Sequence, residues 1–275
     1  MKRRIASIFF LSFFLSGLAQ ASNVGVNRLT QYLPKPGYYL FYNAKDSIEI
    51  LTVTKSESGK DALTCIKEWD SCIQVGEKGI WEKEDVWLPS DLVVGRKWQG
   101  AENVVTVIRD INASVKTKNK EYQHCLELEV YYPAGVLEDK AVEGRDYWCR
   151  HYGYVKMQVK RHGKYVTDLV LGEYYPTDSH FSIKPNQLLG RWEIYSTSIT
   201  PKGLPNKEFY EFKTDGTVNY IVGDRVRNYE YVLLPDRIVI FREYGITLSQ
   251  KIVSFSATSL ELEDQNLGVR YTLKK

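Results

Sequence analysis

Beyond its first 21 residues the chain has no long apolar run, no excess of charge of one sign and almost no helical periodicity. Each lack excludes something. With no second apolar stretch of roughly 20 residues, no membrane-spanning helix is expected. The totals are 37 basic and 34 acidic residues, but Lys2, Arg3 and Arg4 lie in the first 21 residues and no acid does, so 34 of each remain. A neutral chain without a basic cluster is a poor nucleic-acid binder. Methionine is scarce, whereas Tyr, Val and Thr recur in alternation between Gly, Asn and Asp. That pattern reads as mostly β.

Catalytic signatures are missing as well. There is no Gly-x-Ser-x-Gly elbow, no His-Glu-x-x-His and no phosphate-cradling Gly loop. The histidines, His124, His151, His162 and His180, are scattered. The acid pairs Glu82/Glu84/Asp85 and Glu261/Glu263/Asp264 lie in charge runs that read as solvated faces. No catalytic residue, cofactor or metal is assigned, and a non-enzymatic protein is expected.

What is present begins with "MKRRIASIFFLSFFLSGLAQA". A basic start, an apolar run from Ile5 to Leu18 and the small-x-small triplet Ala19-Gln20-Ala21 read as a secretory signal peptide over residues 1–21, cleaved between Ala21 and Ser22. The apolar run is too short for a bilayer. A periplasmic or secreted protein is expected.

An even cysteine count suits that compartment. Cys65, Cys72, Cys125 and Cys149 allow three disulfide connectivities. The local pairing is favoured. "LTCIKEWDSCIQV" sets Cys65 and Cys72 on either side of a short turn. "YQHCLELEVYY" and "RDYWCRHYGYVKMQV" read as neighbouring antiparallel strands. In the first of these, Leu126, Leu128 and Val130 share one face, so alternation puts Cys125 on the polar face with Glu127 and Glu129. A surface cross-strand bridge to Cys149 is the expectation. Ring closure would contribute about 2.5 kcal/mol for the short loop and about 3.5 kcal/mol for the longer one. The competing use is a metal site from His124, Cys125, Cys149 and His151, of which alternation lets only three converge.

Residues 22–175 read as an N-terminal antiparallel β domain. Strands are expected near Tyr38–Asn43, Ser47–Thr54, Ala62–Lys67, Gly79–Glu82, Val104–Arg109, Tyr122–Tyr132, Arg145–Cys149, Tyr154–Arg161 and Tyr165–Tyr175, with short helices near Asn27–Leu33 and Val136–Val142. Gly95 and Trp98 read as a turn and a core aromatic, and Gly153 as a bend. Tyr38, Tyr39, Tyr42, Tyr131, Tyr132, Tyr152 and Tyr154 would suit a surface for stacking sugar rings, although Tyr is also a good strand former. The order of "YLPKPGYYLFYN", "GIWEKEDVWLPSDLVVGRKWQG", "CLELEVYY" and "RDYWCRHYGYVKMQV" resembles that in poorly characterised exported bacterial β proteins. The resemblance implies a curved antiparallel sheet or half-barrel, like that of periplasmic lipoprotein carriers.

Residues 176–187 carry two prolines and read as a linker. Beyond it eight strands are expected: Gly190–Ser198, Glu208–Lys213, Thr217–Val222, Asn228–Leu234, Arg237–Arg242, Gly245–Val253, Ser259–Glu263 and Gly268–Leu273. The short joins, led by Asp215-Gly216, imply an up-and-down meander. Eight such strands can close into a small barrel over residues 188–275. Alternation predicts an inner wall of Trp192 and Ile194, Tyr210 and Phe212, Val218 and Tyr220, Ile238 and Ile240, and Leu260 and Leu262. "LLGRWEIYS", "FYEFKTDGTVNYI" and "LPDRIVIF…SATSLELED…VRYTLKK" resemble the lipocalin-like domains. That resemblance implies that Gly190 and Trp192 close one end of the barrel, with the late-strand Arg270 across the Trp as a cation–π partner.

The fold class is therefore all-β: a curved sheet followed by a small barrel. The expected function is a periplasmic binding protein for a lipid or other apolar small molecule. The alternative is a module that binds a periplasmic protein, such as an inhibitor of a toxin or lysozyme. No ligand-binding residue is assigned from sequence.

Overall fold

The computed structural model describes residues 29–43, 48–56, 63–67, 71–76, 79–82, 85–200, 206–242, 246–264 and 267–275. The expected signal peptide, its junction at Ala21/Ser22 and the start of the first expected helix lie outside these residues. The chain forms two compact units, divided between Thr177 and Asp178. No helix among the described residues is long and apolar enough to cross a membrane.

The first unit is a twelve-stranded antiparallel sheet made of two meanders. One meander comprises β1 (Gly37–Asn43), β2 (Ile48–Ser56), β3 (Leu63–Ile66), β4 (Ser71–Gly76), β5 (Gly79–Glu82) and β6 (Asp85–Pro89). The other comprises β7 (Lys97–Gln99), β8 (Val105–Lys116), β9 (Glu121–Tyr132), β10 (Val142–Cys149), β11 (Gly153–Arg161) and β12 (Lys164–Pro176). They join where β1 pairs antiparallel with β12, from Gly37 opposite Pro176 to Asn43 opposite Leu169. The edges of the sheet are β6 and β7, which are consecutive in sequence. Across the seam between them the Trp98 indole N–H donates to the Val86 carbonyl at 3.2 Å. The sheet is thus nearly closed on itself. Its concave face carries an apolar core that includes Phe41, Ile73, Leu88, Ile108, Leu126 and Val155.

Both disulfides of the favoured local pairing are present, Cys65–Cys72 and Cys125–Cys149. In each case the two cysteines face each other in register on neighbouring strands. The expected surface position of the second bridge is corrected, because Cys125 and Cys149 are both 0 % exposed. The cause is local: His124 adopts a left-handed conformation (φ 57°). That break in the pleat puts Cys125 on the buried side beside Leu126. With no free cysteine and no metal-binding cluster among the described residues, the alternative metal site of His124, Cys125, Cys149 and His151 is not assembled.

The helix expected at Val136–Val142 is also corrected. The segment is a turn that leads into β10, entered through Gly135 in a left-handed conformation, φ 88°. Within the described part of the other candidate, a 3₁₀ turn forms over Thr30–Tyr32.

The second unit is a closed eight-stranded antiparallel barrel in up-and-down order. Its strands are β13 (Gly190–Thr197), β14 (Glu208–Phe212), β15 (Thr217–Val222), β16 (Arg225–Leu234), β17 (Arg237–Phe241), β18 (Thr247–Phe255), β19 (Ser259–Asp264) and β20 (Val269–Lys274). Closure comes from β13 pairing with β20. Asp215 shapes the first hairpin by accepting from the backbone N–H and the hydroxyl of Thr217. The ten residues expected to line the inner wall all belong to the barrel core, with Tyr220 partly buried and the rest buried. A one-turn helix, Pro185–Leu188, enters the barrel and buries Leu188 beneath it.

Candidate functional site

The interior of the twelve-stranded sheet is filled by an unbroken run of aromatic rings. Following Tyr122, Tyr152, Tyr174, Tyr39, Phe41, Tyr154, Trp148 and Trp87, successive ring centroids are 4.8 to 6.5 Å apart. Most contacts are tilted or edge-to-face, the arrangement that aromatic quadrupoles favour. Alternation on β1 places Tyr39 and Phe41 inward, and Tyr154 joins them opposite Trp148, where the pairing of β10 with β11 shifts register. Among these rings a cavity of about 30 Å³ remains, the volume of one water. Of the seven tyrosines considered for sugar stacking, Tyr39, Tyr152 and Tyr154 are spent on this ring-to-ring packing, and Tyr131 is turned outward.

A carboxyl borders the aromatic run. Asp146 on β10 accepts hydrogen bonds from the hydroxyls of Tyr132 at 3.1 Å and Tyr154 at 3.4 Å. Burial pushes its carboxyl up to about 7, against the two hydrogen bonds, which pull the other way. The same burial and the nearby carboxylate hold both tyrosine hydroxyls well above their ordinary range.

The larger cavity lies at the edge of this domain. It is a groove of about 350 Å³ lined by Gln31, Tyr32, Leu92, Ile111 and Arg150. Four separate elements supply these residues. Gln31 and Tyr32 come from the first 3₁₀ turn, and the Gln31 carbonyl accepts the His151 backbone N–H at 2.5 Å. Arg150 follows Cys149, so the Cys125–Cys149 bridge anchors its end of the wall. At Gly153 the same turn packs so closely that a Cβ would lie 3.0 Å from the Pro34 ring, with φ at +67°. Leu92 belongs to the loop between β6 and β7, where the backbone of Gly95 and Arg96 pairs with Ile108. Ile111 sits in an irregular stretch of β8, where the register against β9 shifts on both sides of Asp110. Tyr32 forms a buried floor and Ile111 an exposed lip. The groove therefore offers apolar walls, one cation and one amide.

At the barrel, Gly190 opens β13 and Trp192 is 0 % exposed among the core residues at that end. The Trp192 indole N–H donates to the Leu188 carbonyl at 2.7 Å. The cation above the ring is Lys275, with Nζ 5.0 Å from the centroid, and the expectation of Arg270 there is corrected. Arg270 stands near the start of β20, whereas Trp192 stands near the start of β13. The strands are antiparallel, so these positions are at opposite ends of the barrel. Arg270 is largely exposed and pairs with Glu263 at 2.9 Å, its direct cross-strand partner.

No protein-family model matches the chain, and no curated protein matches it. Among solved structures, a protein of unknown function from the DUF3598 family of Nostoc punctiforme aligns over 93 % of this chain and 100 % of its own, at 10 % identity and a TM-score of 0.21. At that score the likeness carries no argument about function.

Proposed function

We propose that this chain is an exported, non-enzymatic binding protein for an apolar or amphiphilic small molecule, held in the groove beside the Cys125–Cys149 bridge. The groove itself carries the reading. Its volume of about 350 Å³ is within the range of small-molecule sites, which start at roughly 300 Å³. Tyr32, Leu92 and Ile111 suit an apolar body, and Gln31 and Arg150 suit a polar end. The aromatic interior next door is too full to hold such a molecule without rearrangement. Export is supported by the leader-like residues 1–21 and by two disulfides, which persist in oxidising compartments.

The test is native purification, extraction with organic solvent and mass spectrometry of the extract. The expected result is one apolar species near one equivalent, depleted in Ile111→Glu while the fold by circular dichroism is kept. A ligand-free wild-type protein would sink the proposal.

A second reading, a module that docks on a periplasmic protein, is favoured by one observation. Val93 and Val94 are 60 % and 56 % exposed at the tip of the loop that carries Leu92. If this tip is the docking element, V93D/V94D abolishes capture of the partner and leaves the extracted small molecule unchanged.

A further inference from the structure

Two polar groups of the groove beside the Cys125–Cys149 bridge are left without partners among the described residues. Arg150 is exposed on its wall and takes part in no ion pair or hydrogen bond among them. Tyr32, the floor, is 3 % exposed, yet its hydroxyl has no hydrogen-bond partner among the described residues. That oxygen is not sealed in either, since the sealed and orphaned side-chain atoms among these residues are Ser71 Oγ, Arg242 Nε and Gln250 Oε1. It therefore faces open space, and the space that Tyr32 lines is the groove. The acids next in sequence to the lining residues are engaged elsewhere. Asp91 pairs with Arg96 at 3.2 Å, and the Asp110 carboxylate accepts the Asn112 backbone N–H at 2.8 Å.

A cation without a counterion and a largely buried hydroxyl without an acceptor both call for an anion. The guanidinium fork gives a planar carboxylate two parallel N–H bonds, and the tyrosine adds an O–H donor. One cation balances one carboxylate, whereas a phosphate monoester carries about −1.5 to −2. Leu92 and Ile111 supply the apolar wall. The groove volume of about 350 Å³ is roughly twelve times the ~30 Å³ of one water, room for an alkyl chain of about ten carbons. We infer that the ligand of this groove is a medium-chain monocarboxylate, its headgroup held by Arg150 and the Tyr32 hydroxyl and its chain lying along Leu92 and Ile111. The inference rests on the groove being the binding site, and it adds the charge and the size of what binds there.

Calorimetric titration of the intact protein with hexanoate, octanoate, octanol and inorganic phosphate tests this. Octanoate is expected to bind saturably with a dissociation constant under about 1 mM. It should bind about tenfold more tightly than hexanoate, through the two added methylenes. Octanol and phosphate should bind at least about tenfold more weakly than octanoate. Arg150→Gln should weaken octanoate about tenfold and Tyr32→Phe about threefold, each leaving octanol unchanged. Should Arg150→Gln fail to fold by circular dichroism, Tyr32→Phe decides. Ile111→Glu should weaken octanoate and octanol alike, which ties both to the groove. Octanol that binds as tightly as octanoate, and is lost in Ile111→Glu, overturns the carboxylate and leaves the apolar groove standing. Binding of neither overturns the groove as well. Preference for phosphate, a folded Arg150→Gln or Tyr32→Phe that binds octanoate normally, or octanoate binding that Ile111→Glu leaves intact also overturns the inference.

Discussion

Single side chains set the pH behaviour of the first domain and the seal of the second. The Asp146 carboxyl is raised from 3.8 to about 7 by burial. Below its unfolded value both states are protonated and no penalty applies. As pH rises toward 7 the unfolded chain ionises first, so stability falls across that window and then levels. Asp146→Asn should therefore raise the melting temperature by a few degrees at pH 8 and change little at pH 3.5, read by thermal denaturation at both. At the barrel, Lys275→Ala should alter Trp192 fluorescence and cost about 0.5–1 kcal/mol. Arg270→Ala, which removes only an exposed pair, should do neither. Gly79 is a third case. With φ at +129° and a Cβ that would lie 1.9 Å from the Leu88 carbonyl oxygen, Gly79→Ala should destabilise by more than about 2 kcal/mol in a denaturant melt.

Element by element, the barrel was far more legible than the sheet. Its strands alternate cleanly and its joins are short, so all eight strands and the inner wall followed from the pleat alone. In the first domain the alternation breaks where the backbone does. His124 turns Cys125 inward with no residue-type signal, since a left-handed His has the same letter as an extended one. β4 and β6 are short and follow charged segments, which masks them. The groove was illegible for another reason. Gln31, Leu92, Ile111 and Arg150 lie on different elements and share no motif, and only folding brings them together. Ile111 alone carried a hint, as a large apolar residue between Asp110 and Asn112. The seam between β6 and β7 is bridged by the Trp98 indole. Trp98→Phe keeps the ring and loses that hydrogen bond, and should cost about 1 kcal/mol by equilibrium unfolding.

For the molecule as a whole, both disulfides lie in the first unit and neither in the second. Reductant should thus lower the unfolding midpoint of the sheet and leave that of the barrel in place, giving two transitions in calorimetry. The larger loss belongs to Cys125–Cys149, whose ring is the longer. The joining of β1 to β12 bears on how the first domain comes into being. The Tyr174 hydroxyl reaches back to the Pro36 carbonyl, 138 residues away in sequence. The central ladder of this domain is thus the last to become available as the polypeptide is delivered from its N-terminus. Until residue 176 emerges, β1 presents a bare row of amides and carbonyls. Such a long closure slows folding and lengthens exposure to aggregation, so a chaperone that shields that strand should raise the yield of this protein more than one that acts on the barrel.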